Sequence, residues 1–167
     1  DKIEILKTHS SNRLLLKVFK MALDKVTYTY GITMKNVDRF PPVDSELPFN
    51  LEFALASVQS ELCTRNRTGH DALQLVSNLL HGLPKDDAKI LELILGRDLK
   101  CGVGRRMFNK VATGVDQCVA NPYMRCGIYS EKTATKINFP AILQLKADGR
   151  YVAVTVDNGQ ITFTSRS

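Results

Sequence analysis

Two dipeptides, Asp148-Gly149 and Asn158-Gly159, punctuate the last part of the chain, each set between runs rich in strand-forming residues. Such pairs adopt φ > 0 at both central positions of a type I′ turn, so they close two-residue hairpins and fix which side chains face one another. The segments AILQLKA, RYVAVTVD and QITFTS are therefore expected as three antiparallel strands of a meander. In that pairing Ala147 lies opposite Arg150, Lys146 opposite Tyr151, Gln144 opposite Ala153, Thr155 opposite Thr162, Ala153 opposite Thr164, and Tyr151 opposite Arg166. One face then carries Gln144, Lys146, Tyr151, Thr155, Thr162, Thr164 and Arg166. The other carries Leu143, Leu145, Val152, Val154 and Ile161, with Arg150 at its margin, and is expected to be core. Lys146 and Arg166 stand two strands apart, roughly 10 Å, near enough to reach one bound nucleotide.

Upstream of about residue 130 the two-residue alternation gives way to helical periodicity, which makes the expected fold class α+β. We expect a helical domain over 1–129, a polar linker over 130–139 (YSEKTATKIN, from Tyr129, covers most of it), and the strands over 140–167. In SSNRLLLKVFKMALD, Ser10 or Ser11 is placed to cap a helix running to about Asp24, with Leu15, Val18, Phe19, Ala22 and Leu23 on one stripe. YGITMKNVDRFPPVDSELPFN, with Pro41, Pro42 and Pro48, reads as a long connection of little regular structure. NLEFALASVQSEL reads as a helix capped by Asn50. TGHDALQLVSNLLHG reads as another, with Thr68 and Asp71 at capping-box spacing and Gly82 at its end. Pro84 suits the first turn of PKDDAKILELILG, closed by Gly96. Leu75, Leu79, Leu80, Leu91, Ile94 and Leu95 are expected core.

RDLKCGVGRRMFNKVATG sets Gly102 and Gly104 before a short helix that opens on Arg105 and Arg106. Glycines permit close backbone approach, amides at a helix start favour anions, and Arg97, Lys100, Arg105, Arg106 and Lys110 surround the point with positive charge. These residues are candidate contacts to a nucleic-acid phosphate backbone; the competing reading is a helix cap, a loop and a solvated basic face. Aromatic residues that would stack unpaired bases are not interleaved here, which favours a duplex over a single strand.

The balance of 23 Lys+Arg against 17 Asp+Glu, net +6, is compatible with a phosphate-bearing partner. Cys63, Cys101, Cys118 and Cys126 form no Cys-x-x-Cys pair, and His9, His70 and His81 complete no metal-ligand spacing, so the cysteines are expected as reduced thiols. No apolar run approaches the ~20 residues that cross a bilayer, and DKIEILKTHS lacks the apolar core of a signal peptide. A soluble, cytoplasmic protein without membrane contact is the expectation.

Lys146-Ala147-Asp148-Gly149 resembles the Lys-x-Asp-Gly signature of covalent nucleotidyltransferases, which include ATP-dependent DNA ligases, RNA ligases and messenger-RNA capping enzymes. Ser165-Arg166, closing the third strand, is similar to that superfamily's next motif. The succession RDLKCGVG, NKV, YSEK and INFPAILQLKADG resembles the DNA ligases of T-even-type phages, and the resemblance spans most of the chain. It implies a helical DNA-binding domain followed by the first strands of an ATP-grasp-like adenylation domain. It further implies ATP and Mg²⁺ as cofactors, nicked double-stranded DNA as substrate, a monomeric ligase, work in replication, repair and recombination, and the cytoplasm of an infected host. By the same resemblance Lys146 is the nucleophile that takes up AMP, Gln144 reads the adenine edge, and Arg150 and Arg166 hold the nucleotide; no metal ligand falls within 1–167.

One position departs from the family pattern. The superfamily places an arginine five residues after the lysine, where this chain has Tyr151, with Arg150 beside it. Either a bulge shifts the register, or Arg150 reaches around the sheet margin, or Tyr151 stacks where the arginine binds. The later acidic and lysine motifs and the OB-fold domain of those ligases have no counterpart in 1–167, so the resemblance implies a piece of a longer ligase that does not seal nicks by itself. An RNA ligase or capping-type enzyme would keep the lysine motif without explaining the helical domain. A non-catalytic helical DNA-binding module would leave Lys146 as a surface lysine.

Overall fold

The computed structural model describes residues 1–43, 49–119, 130–142 and 152–165. The chain divides into two compact units, Asp1–Asn121 and Pro122–Ser167. The first is helical; the second, in its described residues, holds one helical turn and a two-stranded antiparallel sheet. That is an α+β composition, with the helices preceding the strands.

Helix α1 (Lys2–Thr8) opens the first unit, fixed by a capping box between Asp1 and Glu4. It was not among the expected elements: seven residues with a single buried side chain, Leu6, carry too short a pattern to read by period alone. Helix α2 (Arg13–Leu23) follows, and Asn12, rather than Ser10 or Ser11, is its cap, with Oδ1 accepting from the Leu15 amide at 3.0 Å. The long connection contains one short helix, α3 (Met34–Val37). Asn50 caps α4 (Leu51–Ser57) as expected, accepting from the Phe53 amide at 2.8 Å, and the helix widens into a π-helical turn over Val58–Cys63.

Helix α5 (Gly69–Gly82) starts after Thr68, but the Thr68 side chain makes no capping bond, so the expected capping box does not form. Asp71 still lies in the first turn, where its charge suits the helix dipole. Pro84 occupies the cap position ahead of α6 (Lys85–Leu95) rather than its first turn, and its carbonyl accepts from the Ala88 amide at 2.8 Å. Helix α7 (Arg105–Phe108) is a single turn, and a 3₁₀ turn follows at Gly114–Asp116. Within the polar segment 130–139, Ser130 caps the turn α8 (Glu131–Ala134).

Helix α2 lies between two apolar clusters. Val18, Met21 and Ala22 join the larger one, with Tyr28, Tyr30, Leu51, Ala54, Leu55, Val58, Val76, Leu79, Leu91, Ile94 and Leu95. Leu75 and Leu80, expected as core, pack against its edge and are only partly buried. Leu16 and Phe19 join the smaller cluster with Leu6, Phe108, Ala112 and Cys118, where the Phe19 and Phe108 rings stack at 5.3 Å. This second cluster fastens the 97–119 region to α2.

In the second unit β1 (Val152–Asp157) pairs with β2 (Gln160–Ser165). Thr155 faces Thr162 and Ala153 faces Thr164, the register expected from the Asn158-Gly159 loop. Asn158 and Gly159 have φ of 48° and 80°, both left-handed, as a type I′ turn needs. The apolar face is not core, however. Val152, Val154, Val156, Ile161 and Phe163 are 54–69% exposed. A sheet face is buried only by a second layer, and a two-stranded ribbon has none of its own.

Phe108, with no exposed surface, is the largest side chain linking α7 to α2. Phe108→Ala is expected to destabilise the helical unit by about 3–5 kcal/mol, read as a lowered midpoint in urea titration followed by far-UV circular dichroism.

Candidate nucleic-acid interface

The basic segment that begins at Arg97 leaves α6 through a turn with two left-handed residues, Arg97 at φ 65° and Lys100 at φ 55°. An Asx-type bond holds it: Asp98 Oδ1 accepts from the Lys100 amide at 2.9 Å, and its Oδ2 lies 3.0 Å from Lys100 Nζ. These bonds, the backbone amide first and the ammonium second, keep the Asp98 carboxyl below its ordinary pKa. Gly102 is also left-handed, at φ 70°, where a side chain would be strained. Gly104 has no heavy atom within 4 Å of where a Cβ would stand, so its backbone is open to approach.

The expected basic residues do not all play one part. Arg106 and Lys110 are exposed, and their side chains hold no hydrogen bond or ion pair among the described residues. Lys100 is exposed and, among the described residues, paired only with Asp98. Arg105 is half-buried and donates to the Val119 carbonyl at 3.2 Å. Arg97 turns inward. Its guanidinium donates to the carbonyls of Met21 at 2.9 Å, Asp24 at 3.4 Å and Tyr28, and lies 4.0 Å over the centre of the Tyr30 ring. Burial lowers its pKa and the Tyr30 hydroxyl partly opposes that shift. Burial in turn raises the pKa of Tyr30, whose hydroxyl donates to the Met21 carbonyl at 2.8 Å.

One cation that sequence pattern does not assign joins the group. Lys2 on α1 donates to the Cys101 carbonyl at 2.8 Å, so α1 delivers an exposed ammonium to the glycine loop across 99 positions of sequence. Nothing local to Lys2 signals this, because α1 reaches α7 only through tertiary packing.

Beneath the loop lies Asp24, fully buried at the end of α2. Its Oδ1 accepts from the amides of Val26 at 3.1 Å and Thr27 at 2.8 Å; its Oδ2 accepts from the Thr27 hydroxyl at 2.8 Å and the Val119 amide at 3.1 Å. Four donors satisfy a group whose burial would otherwise be costly. Asn109 braces the strap that Cys118 and Val119 form: its side-chain amide donates to the Cys118 carbonyl and its Oδ1 accepts from the Cys118 amide, each at 2.9 Å.

Lys146, Gln144, Arg150 and Tyr151 on the expected meander, and Arg166 after it, lie outside the described residues, as does the Asp148-Gly149 turn. Among the described residues, no helix is long and apolar enough to cross a membrane.

No protein-family model matches the chain. It is similar to the DNA ligase of Enterobacteria phage T4 and to that of Enterobacteria phage T6, in each case 32% identical over 154 residues, covering 89% of this chain. The chain spans 30% of the length of these curated relatives.

The thiols give a test of the loop's placement. Cys101 is exposed in the basic loop, whereas Cys118 is buried beneath it and pushed up to about 11, by burial first and by the Asp24 charge second. At mildly alkaline pH iodoacetamide should therefore alkylate Cys101 in the native protein and spare Cys118 until denaturant is added, as peptide mass mapping would record.

Proposed function

We propose, from the relationship to T4-type DNA ligases, that the chain is the N-terminal portion of an ATP-dependent DNA ligase, in which the helical unit binds duplex DNA beside a nick. The similarity along 89% of the chain carries this reading, because it joins the helical unit and the Lys146 segment in one protein. A capping-type or RNA-ligase origin would account for the Lys146 motif alone. A purely DNA-binding module would account for the helical unit alone.

In this reading the first step occurs at Lys146. Its neutral amine attacks the α-phosphorus of ATP; a P–N bond forms, the bond to the β-phosphate oxygen breaks, and pyrophosphate leaves with that electron pair. Lysine suits the step because an amine is strongly nucleophilic once it has lost its proton, and the phosphoramidate passes AMP on readily. The AMP then moves to the 5′-phosphate at the nick, and the adjacent 3′-hydroxyl displaces it to close the backbone. Gln144 would read the adenine edge with an amide that both donates and accepts. Arg166, and Arg150 or Tyr151, would hold the nucleotide, and Mg²⁺ would neutralise triphosphate charge. An adenylation domain of this kind needs a second layer over the apolar face of β1 and β2, which the described residues do not supply.

For DNA we assign Lys100, Arg105, Arg106 and Lys110, with the backbone at Gly102 and Gly104 and with Lys2 added, as phosphate contacts. Helix α7 is one turn long, so its dipole contributes little and the attraction rests on the side-chain charges and exposed amides. Arg97 belongs to the group in sequence but is assigned no direct contact, since its guanidinium turns inward onto three carbonyls and the Tyr30 ring, whereas Arg105 and Lys2 each give one bond to a single carbonyl.

Two experiments test the two halves. In the full-length protein incubated with α-labelled ATP, wild type should acquire acid-labile, alkali-stable label and Lys146→Ala should acquire none; equal labelling of both would remove the ligase assignment. Reversing Arg105 and Arg106 to Glu should weaken nicked-duplex binding and lower the steepness of its salt dependence by about two phosphate contacts. Unchanged binding in a fluorescence-anisotropy titration would return both arginines to a solvated face.

A further inference from the structure

We propose that Arg97 and Asp24 are positioning residues for DNA binding: from the end of α2 they hold the two flanks of the basic loop in the arrangement that presents its cations to phosphate. The inference rests on the DNA-binding reading above and adds to it how the interface is built. Arg97 begins the loop and is fastened to three carbonyls at and beyond the end of α2. Asp24, whose own carbonyl is one of those three, fastens the other flank by accepting from the Val119 amide. Val119 in turn accepts from Arg105 through its carbonyl. A continuous path of hydrogen bonds thus runs from Arg97 through Asp24 and Val119 to Arg105, one of the assigned phosphate contacts.

The residue types explain the design. A guanidinium presents donors in a rigid planar fork and stacks on an aromatic face, so Arg97 can satisfy divergent carbonyls while lying on Tyr30. A lysine keeps the charge but has neither the fork nor the plane. If Arg97 acted through charge on DNA, lysine would serve; if it acts by positioning, lysine fails. Asp24→Asn is the matching change at the other flank, because an amide nitrogen cannot accept from Val119 or Thr27.

The test uses the full-length protein and a nicked duplex, with anisotropy titration across a range of salt. Arg97→Lys and Asp24→Asn should each weaken binding by about tenfold, and each should speed alkylation of Cys101, the reporter inside the loop. Combined with Arg105→Glu, each should cost less than the product of the separate losses, because the paths share Arg105. Val76→Ala, a buried change on α5 that removes none of these bonds, is the stability control and should leave affinity and Cys101 reactivity unchanged. Wild-type affinity in Arg97→Lys, full additivity with Arg105→Glu, or equal weakening by Val76→Ala would each overturn the inference. Should reversal of Arg105 and Arg106 itself leave binding unchanged, the DNA-binding reading fails and this inference with it. Weakening by that reversal beside a wild-type Arg97→Lys removes the positioning role alone.

Discussion

The end of α2 is the point on which the helical unit depends. A helix leaves its last carbonyls without intrahelical donors, and here that end is buried between two apolar clusters. Water cannot serve those groups in such a place, so a side chain must. Arg97 donates to Met21, Asp24 and Tyr28, the Tyr30 hydroxyl donates again to Met21, and Asp24 takes up four donors from the chain that follows and from Val119. Buried polar satisfaction acts with the apolar cluster around Phe108 to fix how 97–119 lies on α2.

The same arrangement explains which parts of the structure were legible in the sequence. Periodicity located α2, α4, α5 and α6, because each buries one stripe against the larger cluster. Asn-Gly turn chemistry gave the register of β1 and β2. Caps were legible where a side chain had no rival partner, as at Asn50, and misplaced where several candidates stood together, as at Ser10, Ser11 and Asn12. Arg97 could not be separated from Arg105 and Arg106 by pattern, since a run of cations does not state which of them turns inward. The roles of Lys2 and Asp24 in holding 97–119 were invisible for another reason: Cys101 lies 99 positions from Lys2 and Val119 95 from Asp24, and only packing brings each pair together.

The two units satisfy their apolar surfaces differently. The helical unit closes on itself, and the side chains of its two clusters are buried by one another. The ribbon of β1 and β2 has its polar and apolar faces sorted by the alternation, yet the valines, Ile161 and Phe163 remain exposed. Alternation in a strand specifies which face needs covering; it does not provide the cover.

The way the loop's cations are held bears on what they can bind. Lys2 and Arg105 are fixed by neutral carbonyls, which orient a charged group without cancelling it. Among the described residues, only Lys100 of these cations is fixed by a carboxylate, in a pair so exposed that solvent and salt screen most of its attraction. A surface evolved merely to be soluble has no need to orient its cations by neutral acceptors, whereas a phosphate-binding surface gains from doing so, because the ordering entropy is met before the ligand arrives while the full charge stays available to it. The buried Asp24 carboxylate serves the same end from below: its bonds go to amides and a hydroxyl, so it organises the strap beneath Arg105 without pairing with any of the loop's cations.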